Sequence, residues 1–215
     1  MELFTSQGCS SCPSADRLLG KYANDPSVIA LSFHVDYWNH LGWKDPFSTA
    51  ENSARQQMYA SSLNTEGIYT PQLVINGERE MVGSDEKKIK STLTDLINES
   101  SNTGISITKL SSAEGKFEIK FTLQNLPRDA SVHLAVVQKK EITAIRAGEN
   151  RGVTLTNYNI VRSFQDVKAK DGGNETTVTQ PTGLDNKEVS IVLIVQDKSN
   201  RIIAAIQQQV PGSKI

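Results

Sequence analysis

Two cysteines stand two residues apart in Gly8-Cys9-Ser10-Ser11-Cys12-Pro13, and the chain of 215 residues has no others. A short apolar stretch, Leu3-Phe4-Thr5, leads into the pair, and a helical stretch from Ala15 to Tyr22 leads out of it. The pair therefore falls at a helix N-terminus. Unpaired backbone N–H groups and the positive end of the helix dipole stabilise negative charge there, and thiols so placed reach pKa values of about 3.5–7. The chemistry this permits is thiolate attack on a disulfide, with the second sulfur, one turn further on, resolving the mixed disulfide.

Metal ligation is the other use of two close sulfurs. Zinc and iron–sulfur sites normally need four ligands. Only His34, His40 and His133 are available to supplement the sulfurs, and they lack the spacing of a second ligand pair. Thiolates suit copper(I), but the three methionines form no cluster. No metal and no cofactor beyond the Cys9/Cys12 couple is expected. Two competing function classes stay open: a copper(I)-binding or metallochaperone module on the same sulfurs, and a non-catalytic interaction protein.

The elements that must position the pair alternate strand and helix. Strands are expected at Leu3–Thr5, Val28–Val35, Gln72–Ile75 and Glu80–Val82, and helices over Pro13–Tyr22 and Ala50–Leu63, the latter capped by Ser48 with Glu51 three residues on. Asn76-Gly77 is a hairpin signal. A third helix follows, capped by Ser84, with Ile89, Leu93, Leu96 and Ile97 as its apolar face. The order is βαβαββα, an α/β domain over residues 1–101. A polar linker, 100–104, then leads to six short alternating segments in residues 102–215, which read as an all-β, sandwich-like domain. One connection, 144–170, is too long for that rhythm and is expected to be functional or to hide strands. It contains Arg151 and Arg162, and it is expected to meet the first domain close to the cysteines. His133, between Val132 and Leu134, is expected to point to solvent.

Composition narrows the partners. Residues 1–102 carry 8 Lys and Arg against 13 Asp and Glu, and residues 103–215 carry 15 against 11. The opposite signs favour docking of the halves. No basic stripe with interleaved aromatics is present, so nucleic acid is not an expected partner. No apolar run approaches the roughly 18–20 residues of a membrane span, so stable membrane insertion is not expected. Met1 lies just before the first strand, as it would after removal of a leader.

Order and motif together resemble the thioredoxin superfamily in its short, glutaredoxin-like form, over about residues 1–100. The resemblance implies a cis-proline at Pro71, in Thr70-Pro71, beside the sulfurs; it makes Cys9 the nucleophile and Cys12 the resolving thiol. Ser10-Ser11 and Gly8 depart from the thioredoxin pattern, so substrate preference is not carried over. Longer words, Glu2 to Asp16, His34-Val-Asp-Tyr-Trp38, Leu41 to Phe47, Tyr69-Thr-Pro-Gln72, Gly148 to Gly152 and Tyr158 to Arg162, resemble the bacterial family catalogued as domain of unknown function 1223. That family implies a thioredoxin-like domain with an appended β-rich domain, often exported. The expected activity is thiol–disulfide exchange on disulfide-containing proteins or small thiols in the bacterial envelope, periplasmic or secreted, with a cytoplasmic location still open. Asp36 is the expected proton acceptor for Cys12. Trp38, Trp43, Tyr69, Thr70, Arg151 and Arg162 are the expected substrate-binding residues.

Overall fold

The computed structural model describes residues 1–96, 99 and 101–212. Within them the chain is mixed α/β, with one sheet of eight strands and a second of three. It divides into two compact units: Met1–Glu99 with Lys140–Val161, and Ser100–Lys139 with Arg162–Ile215. One boundary between the units falls between residues 99 and 100, and residues 140–161, expected in the second domain, belong to the first unit.

In the first unit, β1 (Glu2–Thr5), α1 (Cys12–Tyr22), β2 (Leu31–His34), α2 (Ala50–Ser62), β3 (Gln72–Ile75), β4 (Arg79–Val82) and α3 (Glu86–Leu96) follow the βαβαββα order. β1 pairs parallel with β2 and antiparallel with β3, which pairs antiparallel with β4. Successive strand residues face opposite ways. Leu3, Leu73 and Ile75 join Ala15, Leu18 and Leu19 of α1 and Ile89 and Leu96 of α3 in one core. Phe4 meets instead Phe33 of β2, at 5.5 Å, and Tyr59 of α2, at 6.1 Å between ring centroids. Ile97, expected on the α3 face, lies outside the described residues. Asn76 and Gly77 both take positive φ, as the hairpin requires.

Both helix caps fall one residue later than expected. Ser48 Oγ is already engaged by the Asp45 carbonyl at 2.9 Å, so Thr49 caps α2 by accepting the Asn52 N–H at 3.1 Å. Asp85 rather than Ser84 serves α3, accepting the Lys88 N–H at 3.0 Å.

The second unit is built from β5 (Gly104–Ala113), β6 (Lys116–Gln124), most of β7 (Ser131–Ala144), the end of β8 (Thr154–Val167), β9 (Gly172–Thr179), β10 (Val189–Gln196) and β11 (Ile202–Gln209). β5, β6 and β9 form the antiparallel three-stranded sheet; β10 pairs antiparallel with both β7 and β11. Leu110, Phe117, Ile119, Phe121 and Leu123 share one core with Val132, Leu134, Val136, Ile191, Leu193 and Val195, so two sheet layers face each other there. His133 does not point to solvent. Its ring stacks on Phe164 at 5.1 Å and its Nδ1 lies 2.8 Å from Asp166 Oδ1.

Most of the long connection is therefore strand, which answers one half of the expectation. β8 lacked apolar alternation because Asn157 and Asn159 occupy buried positions. Asn159 Nδ2 donates to the Ala30 carbonyl at 2.8 Å, Ser32 Oγ to the Tyr158 carbonyl at 2.9 Å, and Ser32 pairs in parallel with Ile160. These bonds bring residues 140–161 into the first unit. The same approach explains Gly20 within α1: a Cβ there would fall 2.6 Å from the Tyr158 ring. Gly20→Ala is accordingly expected to destabilise the chain by about 1–3 kcal/mol despite alanine's better helix propensity. Urea unfolding measures this, and a stabilised variant would show that the ring yields freely.

Candidate functional site

Cys9 and Cys12 are joined as a disulfide with their Cα atoms 5.5 Å apart, and their residues are 1% and 0% exposed. Cys12 opens α1, and Pro13 sits in its first turn, where a missing N–H costs no helix bond. Cys9 Sγ lies 3.3 Å from Ser11 Oγ and 3.9 Å from the Thr70 carbonyl oxygen, which also accepts from Ser11 Oγ at 3.4 Å. The Thr70–Pro71 peptide is cis. Trp38 Nε1 donates to Thr70 Oγ1 at 2.8 Å, and a Cβ on Gly8 would come within 3.2 Å of Trp38 Cβ. Gly8, the departure noted in the sequence, thus leaves room for Trp38.

Polar side chains bind the turn before Cys9. The Gln7 N–H donates to Asp45 Oδ2 at 2.8 Å, and that oxygen lies 2.7 Å from His34 Nδ1 with both side chains fully buried. Burial alone would raise the Asp45 pKa, but His34 and the hydrogen bonds it accepts hold it below the usual carboxylate value. The Gln7 amide accepts from Trp43 Nε1 at 3.1 Å and donates to Thr143 Oγ1 and Asn157 Oδ1 at 3.1 and 3.0 Å.

Asp16 lies on α1 four residues after Cys12, one turn along the same face, and is 4% exposed. Its Oδ1 accepts from Thr5 Oγ1 at 2.9 Å, while Oδ2 has no hydrogen-bond partner among the described residues. Burial pushes its pKa up to about 6, against the opposing pull of His34 and the Thr5 bond. The sequence carried a signal for it: an acidic residue between Ala15 and Leu18 on the apolar face of a helix.

A strap over residues 145–153 closes against the motif. It is shaped by Ile145 N–H donating to the Val153 carbonyl and Gly152 N–H to the Ile145 carbonyl, both at 2.9 Å. Asn150, 5% exposed, donates through Nδ2 to the carbonyls of both Gln7 and Cys9 at 2.9 Å. Glu149 Oε2 accepts the Ser10 N–H at 3.0 Å. Gly148, at φ 72, takes a conformation that favours glycine, and a Cβ there would meet Trp43 Cβ at 3.1 Å.

Of the expected residues, the structure gathers Cys9, Cys12, Thr70, Pro71 and Trp38, with Trp43 joined through Gln7. Among the described residues, no hydrogen bond links the other expected side chains to the sulfurs. Asp36 Oδ1 accepts from Ser53 Oγ at 2.6 Å, which ties it to α2. Tyr69 donates to Glu80 Oε2 at 2.6 Å, and burial together with that carboxylate raises its pKa. Arg151 is exposed on the strap; the strap's contacts with the motif come from its neighbours Glu149 and Asn150. Arg162 belongs to the second unit, where its guanidinium donates to Gln138. Among the described residues, no group of three or more His, Cys, Asp and Glu is arranged to hold a metal ion, and no helix is long and apolar enough to cross a membrane.

No curated protein sequence matches the chain. A crystal structure of a structural-genomics protein from Agrobacterium tumefaciens is 29% identical, covers 100% of this chain and 95% of its own, and superposes with a TM-score of 0.75. A DUF3823 family protein from Bacteroides ovatus, at 13% identity, covers 51% of this chain and 52% of its own with a TM-score of 0.33. A domain of the outer membrane lipoprotein Omp28 from Porphyromonas gingivalis, at 12% identity, covers 51% and 88% with a TM-score of 0.32. The similarity to these two is too low to carry an argument. The family described as protein of unknown function (DUF1223) matches residues 1–196, so the chain belongs to the DUF1223 family.

Proposed function

We propose that the first unit is a thioredoxin-like thiol–disulfide exchange module, and the second a sandwich-like partner domain, acting on disulfide-containing proteins or small thiols in the bacterial envelope. The observation that carries this reading is the Cys9–Cys12 disulfide at the first turn of α1, with the Thr70 carbonyl 3.9 Å from Cys9 Sγ. In the reduced state the Cys9 thiolate attacks a substrate disulfide and displaces one sulfur as a thiolate. Cys12 then gives up its proton, attacks Cys9 Sγ, re-forms the Cys9–Cys12 bond and releases the second substrate sulfur; two electrons pass from the pair to the substrate. Asp16 accepts the Cys12 proton. It is buried one turn beyond Cys12, has an oxygen without a partner among the described residues, and is ionised above about pH 6. Ser11, through its hydroxyl, steadies Cys9 Sγ against Thr70.

Equilibrating the chain in dithiothreitol and glutathione buffers, with alkylation and mass measurement of free thiols, tests the proposal. A two-electron transition is expected, with a trapped mixed disulfide on Cys9 in the Cys12→Ser variant. A pair that stays oxidised at every ratio, or a Cys12→Ser chain that never traps a thiol, would sink it.

A further inference from the structure

The strap does more than cover the sulfurs. α1 has no acidic residue of its own in its first turn, although this is where a carboxylate is most stabilised by the helix. Glu149, carried on the strap, brings a carboxylate next to that end of the helix by accepting the N–H of Ser10, which follows Cys9 and precedes the N-cap Ser11. That N–H belongs to the residue bonded directly to Cys9, so the carboxylate sits beside the place where thiolate charge would develop. Asn150 completes the attachment by donating to the Cys9 carbonyl.

We infer that Glu149 is a positioning residue that makes the docked strap selective for the disulfide form of the pair, so that reduction loosens the strap and opens the site. This rests on the exchange reading above. The disulfide is neutral and tolerates a carboxylate on the adjacent N–H; the thiolate is anionic and is repelled by Glu149. Whatever binds one state better shifts the equilibrium toward it, so the docked strap favours the disulfide and disfavours the thiolate. Asn150, which bonds only backbone carbonyls, bears on access rather than on charge. Other charged groups on the surrounding elements are Arg146 and Arg151 of the strap, Asp16 and Arg17 of α1, His34 of β2, and Lys44 and Asp45 of the loop after it. Among the described residues none of these bonds a backbone group between the two sulfurs, as Glu149 does.

Glu149→Gln keeps an acceptor for the Ser10 N–H and removes the charge, and Glu149 is exposed, so the fold is retained. The Cys9 pKa, read from the pH dependence of alkylation, is expected to fall in Glu149→Gln. The ratio of reduced to oxidised chain at a fixed dithiothreitol poise should rise about two- to fivefold, the size of one helix-end charge interaction. Asn150→Ala should speed reduction of the pair by dithiothreitol. A wild-type chain that cycles while Glu149→Gln has an unchanged or raised thiol pKa and an unchanged poise overturns the inference and leaves the exchange reading standing. A wild-type chain that does not cycle at all removes both.

Discussion

Arg55→Met is expected to lower stability by about 3–5 kcal/mol, the cost of stranding one partner of a buried ion pair. Arg55 on α2 donates from Nε to Glu2 Oε2 at 2.5 Å and from Nη2 to Glu2 Oε1 at 2.9 Å, and Tyr59 donates to the same Oε1 at 2.7 Å. The guanidinium carbon also lies 5.1 Å from the Tyr59 ring centroid and 5.5 Å from that of Phe33. Methionine retains much of the packing and removes the charge, leaving the Glu2 carboxylate buried on a single hydroxyl. Burial by itself raises the Glu2 pKa, but Arg55 and the bonds it receives carry it below the model-peptide value of 4.5. A depressed carboxylate contributes stability above its unfolded pKa and loses it as pH falls through the folded one. The deficit of Arg55→Met is therefore full at neutral pH and shrinks in acid as Glu2 takes up a proton. Urea unfolding at pH 7 and pH 4 checks this. A loss below about 1 kcal/mol at pH 7 would place the pair with exposed ion pairs. Glu2→Gln combined with Arg55→Met should recover part of the loss, because no charge is then left unpaired.

Asp16→Asn is expected to act in the opposite direction on stability while slowing exchange. A folded-state value of about 6 against 3.8 unfolded means that the folded chain binds the proton more tightly. Stability contributed by this group is complete below about pH 4, falls as pH rises toward 6, and stays reduced above it. Some two pKa units correspond to about 3 kcal/mol. The amide, which cannot ionise, should stabilise the chain by roughly that amount at pH 8 and leave it nearly unchanged at pH 4. Since it also cannot accept the Cys12 proton, release of a mixed disulfide should slow by about 10²-fold. A variant as fast as the parent across pH 6–8 would remove Asp16 from the mechanism, whatever its effect on stability.

What the sequence revealed about the site follows from how local each signal is. Cys9 and Cys12 fix their own relation through the turn that leads into α1, where the Cys12 N–H donates to the Cys9 carbonyl, and Asn76-Gly77 specifies a hairpin within four residues, so both could be read directly. Asn157 and Asn159 were illegible as strand because periodicity looks for apolar residues at interior positions. Each amide is held inside by a partner more than a hundred residues away: the Gln7 side chain donates to Asn157 Oδ1, and Asn159 Nδ2 donates to the Ala30 carbonyl. The bonds of Asn150 could not be read for the same reason: its two acceptors are the carbonyls of Gln7 and Cys9, and a carbonyl leaves no mark on the sequence. Arg151 and Arg162 attracted attention because cations are conspicuous. The neighbouring Glu149 and Asn150 make the bonds.

The division of the first unit into residues 1–99 and 140–161 sets an order of events during synthesis. A chain growing from its N-terminus presents both cysteines early, while Ala30, Ser32 and Gln7 still lack the partners that Asn159, Tyr158 and Asn157 later supply. Throughout that interval neither Asn150 nor Glu149 exists to hold the backbone of residues 9 and 10. The nascent sulfurs are thus open to whatever oxidant or thiol meets them first, and their protected state is reached only after about 140 residues beyond Cys12 have been added and threaded back.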